Sequence, residues 1–176
     1  MLLAHHARDT VPAPFEVLPS EAWLGNDGNW STFSISIGEG SSQSFNVLPS
    51  TAGQATIVPL AEGCTDQDPS NCEILRGSVD GDGLNTTNSS FNYLGLYTSP
   101  LEQRLLYSVA AEYGLDYVTL ECATGGALGQ NSSLVLGVAA TDFYLGLLGL
   151  GTQTDSLPGA SVIPAFISSL FEPLQQ

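Results

Sequence analysis

Apolar and polar residues alternate along much of the first half of the chain, which is the pattern of half-buried β-strands. Thr32–Ile37 alternates in this way, Gly38–Ser42 contains turn residues, and Gln43–Leu48 follows as a second run, so the three predict a β-hairpin. Trp23–Gly28 is predicted to be a turn cluster. Short runs predict further strands at Phe15–Leu18, Gln54–Leu60, Leu105–Val109, Asp116–Leu120, Ser133–Val138 and Gly146–Gly151.

Helical spacing is confined to the last third of the chain. Val162, Phe166 and Leu170, with Ile163 and Ile167 alongside, form an apolar stripe that predicts a helix packed on the sheet, with Pro164 near its first turn. Thr141–Tyr144 predicts one short turn of helix. The expected fold is therefore mostly β, with one or two short helices.

The apolar run Leu134–Gly151 is long enough to raise the question of a membrane span. It contains Asp142 and several glycines, which favours a segment buried in the protein core.

The composition fits one domain of the secreted all-β class. The chain has 176 residues, of which 43% are hydrophobic and 12% charged, and it is rich in the turn residues Gly and Pro. Eighteen acidic residues against three basic ones give a formal net charge of −15. Such a surface repels nucleic-acid phosphates and anionic lipids, so we expect neither as a partner.

The cysteines and glycosylation sequons favour the secretory route. Cys64 and Cys72 bracket a polar loop, which favours a small disulfide hairpin over two free thiols, and Cys122 is left either buried or paired outside the chain. Four Asn-X-Ser/Thr sequons together indicate an extracellular protein and are predicted glycosylation sites: Asn29, Asn85, Asn88 and Asn131.

The N-terminal residues do not match that localisation. Met1–Ala4 is followed at once by polar residues, so no signal peptide is evident; either the start is truncated or misassigned, or the protein is not exported. Residues 1–12 are predicted to be a flexible tail.

No metal or cofactor is expected. His5 and His6 have no further histidine to complete a site. Asp80-Gly81-Asp82-Gly83 lacks the later ligands of a calcium loop and is predicted to be a surface turn.

The stretch Phe45–Pro59 resembles the strand and catalytic loop of pepsin-like aspartic peptidases (family A1). The framing residues Phe45, Val47, Thr51, Val58 and Pro59 fit the family pattern, but Ser50 stands where that family has its catalytic aspartate, and Thr51, Ala52 and Gly53 complete a degenerate loop. Further blocks resemble the family in the same order: Ser31–Leu48, Cys64 with Cys72, Tyr113–Val118, Gly146–Leu150 and Ile163–Phe171. The run Trp23–Ser31 is similar to fungal secreted members whose catalytic loop is degenerate.

The resemblance implies a single pepsin-like N-terminal lobe over residues 13–176, with the second lobe absent. That family uses two aspartates, one from each lobe, to activate a water. A serine cannot replace either carboxylate, and the family's Tyr-Gly-Thr-Gly flap turn has no counterpart before Tyr113. A serine-nucleophile mechanism is disfavoured too, because the only histidines lie in the tail.

The leading functional prediction is therefore a catalytically inactive, secreted pepsin-like protein that retains a groove for an extended peptide. Two alternatives remain open. The sequence is a truncated piece of a longer aspartic-peptidase-like protein, with a missing C-terminal lobe as partner, or it is a secreted wall or matrix glycoprotein.

Overall fold

The computed structural model describes residues 15–98, 110–123, 125–140, 143–154 and 162–170. In these ranges the chain is mostly β, as predicted. The strands are β1 (Pro19–Leu24), β2 (Trp30–Ile37), β3 (Gln43–Ser50), β4 (Thr56–Pro59), β5 (Asn92–Thr98), β6 (Ala110–Glu121), β7 (Ala127–Val138) and β8 (Gly146–Gly149). A 3₁₀ turn at Ala61–Gly63 and two short helices, α1 (Cys72–Leu75) and α2 (Phe166–Leu170), complete the described elements.

The eight strands form one sheet in the order β1-β2-β3-β8-β4-β7-β6-β5. The first half of β2 pairs with β1, and its second half, Ile35–Ile37, pairs antiparallel with β6 at Val118–Leu120. This last pairing joins strands from opposite ends of the order, so the sheet closes on itself through β2, β3, β8, β4, β7 and β6. Within the described ranges, β1 and β5 are the two edge strands.

Both faces of the closed sheet are covered by apolar side chains. The first core cluster includes Phe45, Val47, Val58 and Val118, all fully buried, together with Phe166 of α2. The second cluster includes Ala111, Tyr113, Leu134, Leu136 and Ile163. Because β7 contributes Val135 to one cluster and Leu134 and Leu136 to the other, its apolar run is continuous rather than alternating.

The run from Leu134 therefore supplies the last part of β7 and all of β8 to the sheet, as the core-segment interpretation predicted. Among the described residues, no helix has the length and apolar content needed to cross a membrane.

The hairpin predicted from alternation is confirmed as β2 and β3, which pair from Phe33↔Val47 to Ile37↔Gln43. Four other predicted strands overlap the observed strands β4, β6, β7 and β8. The main difference is their length, because β7 begins at Ala127 and β6 begins at Ala110, well before Asp116. The predicted strand Leu105–Val109 and the tail at 1–12 lie outside the described residues.

The prediction of a first strand at Phe15–Leu18 is wrong. The strand is Pro19–Leu24, and the predicted turn at Trp23 begins only after it, at Gly25 with a φ of 139°. Its positions alternate only between exposed and half-buried, and its first half, Pro19–Glu21, has no alternation of apolar and polar residues. Strand β5 (Asn92–Thr98) was not predicted at all.

The helical predictions need two corrections. Helix α2 begins at Phe166, not at Val162, which is 66% exposed. Pro164 disfavours a helical conformation for the residue before it, so the stripe starts later than its spacing predicts. Phe143 and Tyr144 are not helical, and the rest of that predicted turn is outside the described ranges.

Candidate functional site

Strand β8 lies between β3 and β4, although β3 and β4 are consecutive in the chain. β8 runs parallel to β3, with Ser50 opposite Gly149, and antiparallel to β4, with Ile57 opposite Leu147. The connection between β3 and β4 must therefore pass across the end of β8. This connection, residues 50–55, is the candidate site, and it contains the four loop residues singled out from the sequence.

Backbone hydrogen bonds fix the loop to the end of β8. Leu150 N donates to Ser50 O at 2.8 Å, and Gly151 N donates to Gly53 O at 2.9 Å. The contact is close because Gly149 has no side chain: a Cβ built on Gly149 would lie 2.3 Å from the backbone carbon of Gln54. Gly149 thus allows the backbone of β8 and the backbone of the loop to come into contact.

Ser50 is half-buried at the end of β3, and its hydroxyl accepts a hydrogen bond from Ala52 N at 3.4 Å. Thr51 and Ala52 are exposed at the tip of the loop. No carboxylate belongs to this loop, and the only two histidines of the sequence, His5 and His6, lie outside the described residues. The loop therefore offers hydroxyl and peptide groups for binding, and no group that ionises near neutral pH.

The hairpin formed by β5 and β6 shares an apolar cluster with the end of this loop. Leu94 of β5 and Tyr113 of β6 belong to the same apolar cluster as Ala55 and Ile57, the residues around the start of β4. No hairpin was predicted before Tyr113; the residues that connect β5 to β6, 99–109, lie outside the described ranges. Among the residues that the structure describes, no strand pairs with the other side of β5, and Leu96 is 71% exposed.

A buried hydroxyl next to the loop was also missed by the sequence analysis. Thr56, the first residue of β4, is fully buried, and its Oγ1 has no hydrogen-bond partner among the described residues. An unpaired buried hydroxyl costs about 1–3 kcal/mol. Its neighbours in sequence are apolar, so no local pattern distinguishes it from an exposed threonine.

The disulfide between Cys64 and Cys72 is present, as the sequence predicted. It joins the end of the 3₁₀ turn to the first residue of α1, so it closes a loop before a helix rather than a hairpin. Within that loop, Asp68 Oδ2 accepts hydrogen bonds from Thr65 N and Thr65 Oγ1, both at 2.8 Å. These two bonds, with a smaller contribution from the charge of Arg76, lower the pKa of Asp68 from its ordinary value of 3.8.

The four sequons lie in different surroundings. Asn29 is in the exposed turn between β1 and β2, Asn131 is exposed in β7, and Asn85 is exposed in the loop before β5. Asn88 is half-buried, and its Nδ2 donates to Ser41 O at 2.9 Å.

Cys122 has a free, half-buried thiol that borders a cavity of about 470 Å³ near β1.

Asp80 and Asp82 are exposed in a surface turn, as predicted, and the described residues contain no cluster of three potential metal ligands.

An apolar cavity of about 400 Å³ opens beside Pro49 and Leu148. Its lining residues are all apolar: Phe15, Val17, Phe33, Pro49, Leu120, Leu128, Leu148, Leu150, Ile167 and Leu170. Pro49 and Ser50 are adjacent in a strand, so their side chains leave opposite faces. The cavity and the Ser50 hydroxyl are therefore separate features.

Comparison of the chain with models of known protein families gives no match, and a search of curated proteins gives none either.

Proposed function

We propose that this chain is a secreted, catalytically inactive pepsin-like lobe that binds an extended peptide without cleaving it. The observation that carries the proposal is the loop at residues 50–55, which crosses the end of β8 with Ser50 where the resemblance places an aspartate. The loop is held by its own backbone, so its shape does not depend on a carboxylate.

Peptide binding is supported by the surroundings of that loop. Thr51 and Ala52 are exposed, and the β5–β6 hairpin packs on the same apolar cluster as the residues that follow them. An extended peptide needs backbone partners and pockets for alternate side chains, and it does not need ionisable groups. The exposed loop and the edge strand β5 offer backbone partners for such a peptide.

The proposed lack of peptidase activity follows from the residue type at position 50. In an aspartic dyad, one carboxylate acts as base while the other acts as acid. The hydroxyl of Ser50 stays protonated over that whole pH range and cannot take a proton from water. Secretion is supported by the Cys64–Cys72 disulfide, because such bonds persist in oxidising compartments.

The first experiment is a proteolysis assay on unfolded protein substrates between about pH 3 and pH 5, where aspartic dyads work. We expect no cleavage by the wild-type chain. Cleavage that a hydroxyl-containing transition-state mimic abolishes would contradict the proposal. Ser50→Asp tests the scaffold in the same assay, with Ser70→Asp as a control that adds the same charge in an exposed loop.

The second experiment measures binding of a library of extended peptides by fluorescence anisotropy. We expect saturable binding that Ala52→Trp weakens at least tenfold by filling the exposed loop surface, whereas Ala127→Trp, exposed in β7, leaves it unchanged. Equal loss in both variants, or no saturable binding to any peptide, would refute the peptide-binding part.

A second candidate function is favoured by the apolar cavity beside Pro49. An open cavity with a wholly apolar lining fits a role as a non-catalytic subunit that associates with a second lobe. Light scattering after size exclusion tests this. Association that Leu170→Glu abolishes would support it, and a monomer at all concentrations would count against it.

A further inference from the structure

A polar cavity of about 350 Å³ lies between the β2–β3 turn and the loop before β5. It is lined by hydroxyls, amides and carboxylates: Ser41, Ser42, Gln43, Ser44, Ser78, Asp80, Asp82, Asn85 and Asn88. Two of the four sequons, at Asn85 and Asn88, thus border one concavity. Its volume falls in the range of sites for small ligands, about 300–1,000 Å³.

Asn85 is held firmly at the rim of this cavity. Its backbone N donates to Gln43 Oε1 at 2.8 Å, while Gln43 Nε2 donates to Gly83 O at 2.9 Å. Its side-chain Oδ1 accepts from Thr87 N at 2.9 Å and from Thr87 Oγ1 at 2.6 Å. These side-chain bonds use only the carboxamide oxygen, and the residue is exposed.

Asn88 is held in the opposite way, through its nitrogen. Its Nδ2 donates to Ser41 O across a large sequence separation, and a Cβ built on Gly38 would lie only 3.3 Å from that nitrogen. A sugar joined to Asn88 Nδ2 would have to occupy space beside the turn at residues 38–41. The folded structure therefore distinguishes two sequons that the sequence treats alike.

We propose that Asn85 carries an N-linked glycan whose first sugar lies in this cavity, and that Asn88 stays unmodified in the folded protein. The donor is an oligosaccharide joined through N-acetylglucosamine to a lipid diphosphate. A bond forms between Asn85 Nδ2 and C1 of that sugar, and the bond from C1 to the diphosphate oxygen breaks. The lipid diphosphate leaves, and the amide proton passes to a base of the transferase.

The lining of the cavity suits a sugar. Sugar hydroxyls donate hydrogen bonds to carboxylates, and the exposed side chains of Asp80 and Asp82 supply carboxylate acceptors. Ser41 and Ser42 add hydroxyls that donate or accept. The surrounding loop is already ordered by Ser78, whose Oγ donates to Asp82 O at 2.6 Å and accepts from Gly81 N at 3.1 Å.

Site occupancy is tested on the full chain secreted from a eukaryotic host behind an added leader. Enzymatic deglycosylation in ¹⁸O water marks each occupied asparagine as labelled aspartate, and fragmentation of the peptide separates Asn85 from Asn88. We expect label at Asn85 and none at Asn88. Label at Asn88 of the folded protein, or an empty Asn85, would overturn the inference.

Seating of the sugar is tested by thermal unfolding of secreted protein and of glycan-free protein made in a bacterial periplasm. We expect the glycan to raise Tm by about 3 °C, and Asn85→Gln to remove that rise while Asn131→Gln keeps it. Asp82→Asn should reduce the rise without changing occupancy. A rise that survives Asn85→Gln would show that the cavity does not hold the sugar.

The inference rests on the secretory part of the proposed function, and the outcomes separate the two. Four empty sequons in the secreted protein would overturn both. An empty Asn85 beside an occupied Asn29 or Asn131 would overturn only this inference, and failure to bind peptides would leave it standing.

Discussion

The hydroxyl of Ser50 accepts a hydrogen bond from Ala52 N at the end of β3, and the carbonyl of the same residue accepts one from Leu150 N. The second bond belongs to the backbone and would form with any side chain at this position. The first is weak, and a carboxylate could accept it equally well. At this position the backbone arrangement therefore does not depend on the identity of the side chain.

Arg76 shows what the sequence could not reveal at the residue scale. It is 1% exposed, its Nη1 donates to Ala140 O at 2.6 Å, and its guanidinium lies 5.3 Å from the centre of the Tyr144 ring. Charged residues are almost never fully buried unless paired, and both of these partners are distant in sequence. A pattern confined to neighbouring residues cannot detect such a contact.

Asp68 gives a pH-dependent prediction. Its pKa is lowered by the two hydrogen bonds from Thr65, so its contribution to stability is fully present above the ordinary pKa of 3.8 and is lost as the pH falls through the lowered value. We expect Asp68→Asn to unfold at a lower temperature than wild type at neutral pH, and the difference to be smaller at about pH 2.

Calorimetry at both pH values measures this difference. Asp66→Asn, in the same loop, controls for the removal of one negative charge. A deficit of Asp68→Asn that is equally large at the lower pH would contradict the assignment.

At the scale of elements, the predictions succeeded where pairing is local. The β2–β3 hairpin has alternating apolar and polar residues on both strands and a glycine-containing turn between them. Its register can therefore be predicted from residues close together in the sequence. Strands β1 and β5 were misplaced or missed because each is an edge strand with few buried apolar positions. The insertion of β8 between β3 and β4 depends on pairing distant in sequence, and no local pattern predicted it.

The crossing of the loop over β8 predicts a difference between two glycines. A Cβ at Gly149 would lie 2.3 Å from Gln54 backbone, whereas a Cβ at Gly53 would meet nothing within 4 Å. We expect Gly149→Ala to lower the free energy of unfolding by about 1–3 kcal/mol or more, because backbone must move. Gly53→Ala should change it by less than about 1 kcal/mol.

Urea unfolding of both variants measures the difference. Similar stability in both would show that the loop is not held against β8. The Gly53 variant also reports on the site, since it changes a loop residue without affecting the fold.

At the scale of the whole molecule, the charge is the dominant feature. Eighteen acidic residues and three basic ones share 176 positions, and one of the arginines, Arg76, is buried rather than available at the surface. Carboxylates repel one another in the compact state and lose their charge near pH 4. The folded protein should therefore be more sensitive to salt at neutral pH than in acid.

We expect about 0.5 M NaCl to raise Tm at pH 7, because screening weakens repulsion between exposed charges. The same salt should raise Tm much less at about pH 4, where many carboxylates are protonated. Differential scanning calorimetry across this grid of salt and pH checks the prediction. An equal rise at both pH values would point to a general salt effect instead of charge repulsion.

The position of β8 also governs the order in which the molecule can be built during synthesis. Strands β3 and β4 leave the ribosome early, but the strand that fills the space between them comes much later, after β7. Until Gly146–Gly149 emerges, Val47 and Val58 face an unfilled gap, and the sheet cannot complete its ring of pairings. Contacts so distant in sequence make folding slow. The gap between β3 and β4 therefore stays unfilled, and accessible to chaperones, until most of the chain has been made.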